Sequence, residues 1–110
     1  MTTALPLPPP AWDDEFADRL EGAVVLVGLT LAEAAEDRTE QFYGVVEEAV
    51  RDKGVRLSLR GSREGETFWL PPDLGQLHPA RLGRYRLRAT GEVVVDPDYT
   101  TTWTIHPPKS

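Results

Sequence analysis

The order of apolar and polar residues between positions 22 and 59 predicts three consecutive β-strands. The first, 23–31, is apolar at both parities, which is typical of a strand buried on both faces. The second, 40–50, is apolar at one parity and mixed at the other. The third, 55–60, alternates cleanly, and Gly54 in the turn before it is free to take a positive φ. We therefore expect a bent meander with its core on one face.

Shorter elements flank this meander. Trp12, Phe16 and Leu20 recur at helical spacing, and acidic residues occupy the first turn, so the sequence predicts one short N-terminal helix over 12–20. A polar connection is expected at 32–39, and a tight helical turn at Asp73 and Leu74. Four further short strands are expected, over 67–70, 84–89, 92–95 and 100–105.

The order of these elements resembles that of a small SH3-like or Sm-like barrel over residues 12–89. The resemblance implies a mainly β fold, a bent-sheet barrel with one short N-terminal helix and an added C-terminal β-hairpin. We expect a single domain over 11–106, with a flexible proline-rich tail over 1–10 and a short tail over 107–110.

The closest local match is to the first Sm motif. It is carried by VVLVGLT, by FYGVVEEAVRDKGVRLSL and by the glycine at Gly44. The Sm family binds uridine-rich RNA through an Asp and an Asn, and these positions correspond here to Val50 and Gly54. The resemblance thus supports a barrel but implies that an oligomeric Sm-like RNA binder is disfavoured.

The second half resembles a group of small bacterial proteins of unassigned function. The matching stretches are PPDL, YRLRATGEVVVDPDY and TTWTI. This second resemblance implies a bacterial source and supplies no mechanism.

Charge is distributed unevenly along the chain. The net charge is −6, yet residues 1–50 carry 11 acidic and 2 basic residues, whereas residues 51–90 carry 9 basic and 4 acidic ones. Because phosphate repels an acidic chain, we do not expect nucleic acid as a partner. The sequence has no cysteine, no secretory signal and no membrane-length apolar run, so we expect a cytoplasmic protein without a membrane partner.

A set of arginines forms the first candidate interaction surface. They could line up across neighbouring strands as a basic stripe beside Trp69, suited to an acidic partner. The alternative is cross-strand ion pairing with Glu47, Glu64, Glu66 and Glu92. The arginines are Arg56, Arg60, Arg84, Arg86 and Arg88.

Trp69, Tyr99 and Trp103 form the second candidate surface. Phe68 and Leu70 have the parity expected of the core, which places Trp69 on the other face. Exposed aromatic residues anchor interfaces. The alternative is that the C-terminal strands cover this face and bury it as a second small core.

The sequence contains no catalytic constellation, so we expect a protein that is not an enzyme and needs no cofactor or metal. His78 and His106 lie beside prolines in loop-like context, which favours surface histidines over a metal site. Asp96 and Asp98 fit a turn in which each carboxylate accepts from backbone N–H groups. The alternative, a small enzyme, would need these two aspartates and His106 to converge.

The remaining interpretation is a small protein-interaction module with an unknown protein partner. One version is an immunity-type or inhibitor protein that binds a basic enzyme through its acidic residues 33–48, which include Glu47 and Glu48. Another version is self-association through an open strand edge.

Overall fold

The structure is a computed structural model that describes residues 12–32 and 37–106. Strands hold 52 % and helices 14 % of these residues, which confirms a mainly β fold with one short α-helix. The two predicted tails, 1–10 and 107–110, lie outside the described residues. The elements are α1 Asp14–Leu20, β1 Val24–Ala32, β2 Asp37–Val50, β3 Gly54–Leu59, β4 Thr67–Leu70, β5 His78–Pro79, β6 Arg84–Arg86, β7 Val93–Val95 and β8 Tyr99–Ile105, with 3-10 turns at Gly61–Arg63 and Leu74–Gln76.

Six strands form one sheet in the order β4-β3-β2-β1-β8-β5. β1 to β4 are antiparallel neighbours, β8 runs parallel to β1, and β5 pairs antiparallel with the start of β8. The sheet is open, because no pairing joins its two end strands, β4 and β5, in the part of the chain described. Closure into an SH3-like or Sm-like barrel is therefore not confirmed.

One face of this sheet carries the core. Strand register places Val27 of β1 beside Phe42 of β2 and Thr101 of β8, so side chains of like parity meet on that face. Phe42 also packs edge-on against Phe68 of β4, with ring centroids 5.1 Å apart. The buried core residues on the central strands are Val25, Val27, Leu29, Phe42, Val46, Val55, Leu57 and Leu59.

Helix α1 closes part of the core. The Asp13 carboxylate caps its first turn by accepting from the N–H groups of Glu15 and Phe16. Ala17 and Leu20 point into the core, as the helical spacing predicts for Leu20. The helix ends before the Gly22 N–H, which donates to the Val46 carbonyl and fixes the entry into β1.

A separate hairpin lies outside the main sheet. It consists of β6 and β7, paired antiparallel. Leu87 and Val94 are buried here but do not belong to the main core cluster. The Arg88 N–H donates to the Gln41 side chain on β2, which ties the hairpin to the sheet.

The final strand corrects the expected topology at the C-terminus. A hairpin is present there, but β6 and β7 form it, while β8 joins the main sheet beside β1. β2 also begins earlier than expected, at Asp37, because Thr30 and Thr39 pair despite the polar sequence. β5 has no counterpart among the predicted strands. No helix within the described residues is long and apolar enough to cross a membrane.

Candidate functional site

An apolar groove lies between β4 and the second half of β8. These strands are separated in the sheet by β3, β2 and β1, so the sheet must curve strongly to bring them to one groove. The groove has a volume of about 310 Å³. Its main lining residues are Leu29, Phe68, Trp69, Pro71, Trp103 and Ile105.

The β4 side of the groove is a strand edge that has no partner strand among the described residues. The Leu59 N–H donates to the Glu66 carbonyl at 2.9 Å, so Leu59 of β3 and Glu66 form a hydrogen-bonded pair. Along an antiparallel ladder, hydrogen-bonded pairs alternate with pairs whose backbone groups point outward. Phe68, two residues after Glu66, therefore directs its backbone groups at β3. Those of Thr67 and Trp69 point away from the sheet.

The β8 side is also open along most of its length. β5 pairs only with Tyr99 and Thr100, so the described residues supply no outer partner strand from Thr101 to Ile105. β1 pairs with β8 on its other side over the whole strand. The groove thus lies between two strand edges, and along the groove the described residues supply no outer partner strand for either of them.

The two tryptophans of the groove differ in environment. Trp69 is 38 % exposed, and the Arg56 guanidinium lies 5.7 Å from its ring centroid. Trp103 is half-buried and packs against the core, yet its buried indole Nε1 has no hydrogen-bond partner among the described residues. Ile105, 43 % exposed, completes the apolar rim. The groove therefore has exposed apolar surface, and one of its lining residues, Trp103, carries a buried donor without a partner among the described residues.

Tyr99 does not belong to this groove. It lies at the start of β8, where its ring meets Phe16 of α1 edge-on at 5.5 Å. The structure thus brings Trp69 and Trp103 together but places Tyr99 against the helix. The sequence pattern did not identify Phe68, Pro71 or Ile105 as surface residues, although Ile105 shares the parity of Trp103.

The arginines do not form a stripe across neighbouring strands of one sheet. Arg56 lies on β3 of the main sheet, whereas Arg84 and Arg86 lie on β6 of the hairpin. Arg60 follows β3, and Arg88 follows β6. Because β6 pairs with β7 outside the main sheet, the described strands do not place all these arginines on neighbouring strands of one sheet.

The ion pairs of these arginines are few. Arg56 approaches Glu47 at 3.7 Å and Glu48 at 3.5 Å, so both predicted acidic contact residues share one cation. The two glutamates are largely solvated, and such pairs contribute little to stability. Arg60, Arg84, Arg86 and Arg88 are exposed, and none makes an ion pair within the described residues.

The aspartates of the alternative enzyme site hold the backbone. The Asp96 carboxylate accepts the Gly83 N–H at 2.7 Å. The Asp98 carboxylate accepts the Val24 N–H at 2.8 Å, which joins the start of β8 to β1. His106 is exposed beyond the end of β8. No cluster of three or more potential metal ligands occurs in the described part of the chain.

Comparison with known proteins found no matching family model, no similar curated protein and no similar solved structure. The resemblances noted in the sequence therefore stay expectations.

Proposed function

We propose that this protein is a non-catalytic protein-interaction module that binds an extended segment of a protein in the groove between β4 and β8. The observation that carries this proposal is the position of an apolar groove beside the edge of β4 that has no partner strand in the described part of the chain. An extended segment can add to a free edge through its backbone while alternate side chains enter the groove.

The groove chemistry supports an uncharged, apolar segment as the occupant. Its wall is formed mainly by apolar and aromatic side chains. The Arg56 guanidinium lies 5.7 Å from the Trp69 ring centroid, and Glu47 and Glu48 already face it. A charged side chain entering the groove would lose hydration, which is unfavourable, because none of the described residues that line the groove carries a compensating charge.

The same geometry supports a finer description of the fold. On this proposal the sheet is an SH3-like or Sm-like barrel split between β4 and β8, and the bound segment fills the split. The support is that strands at the first and fifth positions of the sheet line one groove. A closed barrel has no free edges, so an added strand would protect both sides of the split.

The inhibitor version has weaker support. Its acidic surface includes Glu47 and Glu48, and both already face Arg56. Self-association is a special case of the proposal in which a second copy of the chain supplies the segment. A cytoplasmic location and a bacterial source stay predictions.

Peptide selection on the full-length protein tests the proposal. Random ten-residue peptides are displayed on phage and selected for binding to the wild-type protein. The affinities of the selected peptides for wild type, Ile105→Asp and Val95→Asp are then measured by calorimetry. Both wild-type residues are exposed strand aliphatics, at 43 % and 60 %, but only Ile105 lines the groove. We expect Ile105→Asp to weaken binding at least about tenfold, equivalent to about 1.4 kcal/mol, with Val95→Asp close to wild type.

Two outcomes would contradict the proposal. One is a selection that enriches no binding peptide. The other is an equal loss of affinity in Ile105→Asp and Val95→Asp, which would place binding elsewhere or reflect a general effect of charge. Circular dichroism of both variants checks that each keeps its strand content. Light scattering measures the molar mass of the protein with and without peptide, and shows whether a second copy of the chain competes for the groove.

A further inference from the structure

The β6–β7 hairpin presents two arginines side by side on one exposed face. Arg84 and Arg86 lie two residues apart on β6, so their side chains project from the same face, and both residues are exposed. We infer that the edge of β6 opposite β7 is a second docking site, which binds an acidic, extended protein segment as an added strand. The hairpin supplies none of the residues that line the groove between β4 and β8, so this site goes beyond the proposed function.

The register of the hairpin determines which backbone groups reach this edge. The Leu87 N–H donates to the Glu92 carbonyl at 2.8 Å, so these two residues form a hydrogen-bonded pair. Hydrogen-bonded pairs alternate with pairs whose backbone groups point outward. The N–H and C=O groups of Arg86, and by the same alternation those of Arg84, therefore point away from β7. No strand of the described residues pairs with that side of β6.

The hairpin itself supplies these arginines with no counter-charge. The residues across from them on β7 are two valines. Glu92 and Asp96 flank β7, but their carboxylates accept backbone N–H groups, at 3.0 and 2.7 Å respectively. Neither Arg84 nor Arg86 forms an ion pair within the described residues. Both guanidinium groups are therefore available to an anionic partner.

The local charge favours an acidic occupant although the whole chain is acidic. Residues 81–91 contain four arginines and no acidic residue, whereas the net charge of the chain is −6. Interactions between exposed charges more than about 10 Å apart are largely screened at 0.1 M salt. A segment docked on β6 is thus attracted mainly by the nearby arginines, and opposite charges directly across a strand pair stabilise it.

The same geometry sets the spacing of acidic residues in the partner. Residues two apart on a strand share a face and lie about 6.8 Å from each other. In an antiparallel added strand, the residues opposite Arg84 and Arg86 are likewise two apart, and they form hydrogen-bonded pairs with the arginines. We therefore expect acidic residues at alternate positions, as in Glu-Thr-Glu. A phosphate backbone carries negative charge but has no N–H groups to donate to the arginine carbonyls, which favours a protein segment over nucleic acid.

The test titrates two acetylated, amidated peptides into the full-length protein and follows the amide signals of Arg84 and Arg86 by NMR. One peptide is Ser-Thr-Glu-Thr-Glu-Thr-Ser. The control, Ser-Thr-Glu-Glu-Thr-Thr-Ser, has the same composition with adjacent acids. Neither contains a large apolar side chain, so neither suits the groove between β4 and β8.

Two double variants remove the same amount of positive charge. Arg84→Gln/Arg86→Gln removes it from β6. Arg19→Gln/Lys53→Gln removes it from α1 and from the turn between β2 and β3, at exposed residues that form no ion pair in the described part of the chain. Circular dichroism checks that both variants keep their strand content.

We expect the alternating peptide to bind wild type at least about threefold more tightly than the control peptide, since only its two acids can both lie opposite the arginines. Arg84→Gln/Arg86→Gln should weaken this binding at least about threefold, with Arg19→Gln/Lys53→Gln close to wild type. Bound peptide should also slow hydrogen exchange of the Arg84 and Arg86 N–H groups, because these gain acceptors. N-methylation of both peptide glutamates, whose N–H groups face β6, should abolish binding, whereas N-methylation of the threonines that follow them should not.

Four outcomes would overturn the inference. The first is the absence of any shift of the two amide signals with either peptide. Equal affinities of the two peptides, or equal losses in both double variants, would show a general attraction of charge without a docking site. Equal effects of the two methylation patterns would exclude strand addition. Tighter binding of oligouridylate than of the alternating peptide at the same signals would identify a nucleic-acid surface instead of a protein-binding one.

Discussion

At the scale of single residues, Gly54 is the position where a side chain would disturb the fold most. Its φ is +114°, and a Cβ built there would lie 1.8 Å from the carbonyl oxygen of Leu70 on the neighbouring strand. We expect Gly54→Ala to lower the free energy of unfolding by more than about 2 kcal/mol, because backbone strain adds to displacement of β4. Urea denaturation measures this loss.

Gly65→Ala is the matched control. Gly65 also has a positive φ, +96°, but a Cβ there would meet no atom within 4 Å. Its replacement should cost only the backbone strain, about 1–2 kcal/mol. Equal losses in the two variants would show that the close approach of Gly54 to Leu70 does not matter for stability.

The backbone conformation of a turn glycine and the face on which a strand residue lies were predictable from the sequence, because a short local pattern determines each of them. The positive φ of Gly54 and the placement of Trp69 opposite the core follow from turn chemistry and strand parity, and both are confirmed. The sequence suggested a shared surface for Trp69 and Trp103, but the groove that both residues line was not predictable. It depends on the curvature of five strands, which no short stretch of sequence encodes.

At the scale of elements, Glu92 joins the β6–β7 hairpin to the turn after β3. Hydrogen bonds hold the pKa of its carboxyl below the ordinary value of 4.5, chiefly one from the Ser62 side chain and then one from Thr90. The Ser62 backbone N–H also donates to the carboxylate, at 3.0 Å. Because the folded state lowers this pKa, the stability that Glu92 contributes is present above 4.5 and is lost as the pH falls through the lowered value.

We therefore expect Glu92→Gln to have a lower thermal midpoint than wild type at about pH 7, with a difference that shrinks as the pH falls below 4.5 and through the lowered pKa of Glu92. Thermal denaturation at a series of pH values measures this difference. The control is Glu64→Gln, since Glu64 is exposed and makes no side-chain hydrogen bond in the described part of the chain. A midpoint difference for Glu92→Gln that does not change with pH would contradict the assignment.

The sequence predicted which helices and strands occur better than it predicted which strands pair with one another. Helix α1, the first four strands and the helical turn after Asp73 occur close to the expected positions. The parallel pairing of β8 with β1 did not follow from the pattern, because it joins residues 74 positions apart, such as Val25 and Tyr99. Periodicity reports which face a strand buries but leaves its neighbour undetermined.

At the scale of the whole molecule, apolar burial is divided between two places. The main core lies between the sheet and α1, and it includes Leu57. Leu87 is as well buried, at 1 % exposure, but lies under the hairpin outside that cluster. Regions with few buried contacts open locally at lower free energy than the core. The hairpin should therefore open before the sheet unfolds.

Two leucine truncations test this division, because the removed atoms are the same. Leu57→Ala should lower the global free energy of unfolding by about 2–5 kcal/mol, through loss of burial and creation of a cavity in the main core. Leu87→Ala should instead speed hydrogen exchange within the hairpin, for example at the Leu87 N–H that donates to the Glu92 carbonyl, with a smaller change in global stability. Native-state hydrogen exchange followed by NMR distinguishes local opening of the hairpin from unfolding of the sheet. The Leu87 N–H reports on the hairpin, and the Leu59 N–H, which donates to the Glu66 carbonyl, reports on the sheet. Equal acceleration of both reporters in Leu87→Ala would mean that hairpin and sheet unfold as one unit, and the molecule would then behave as a single cooperative core.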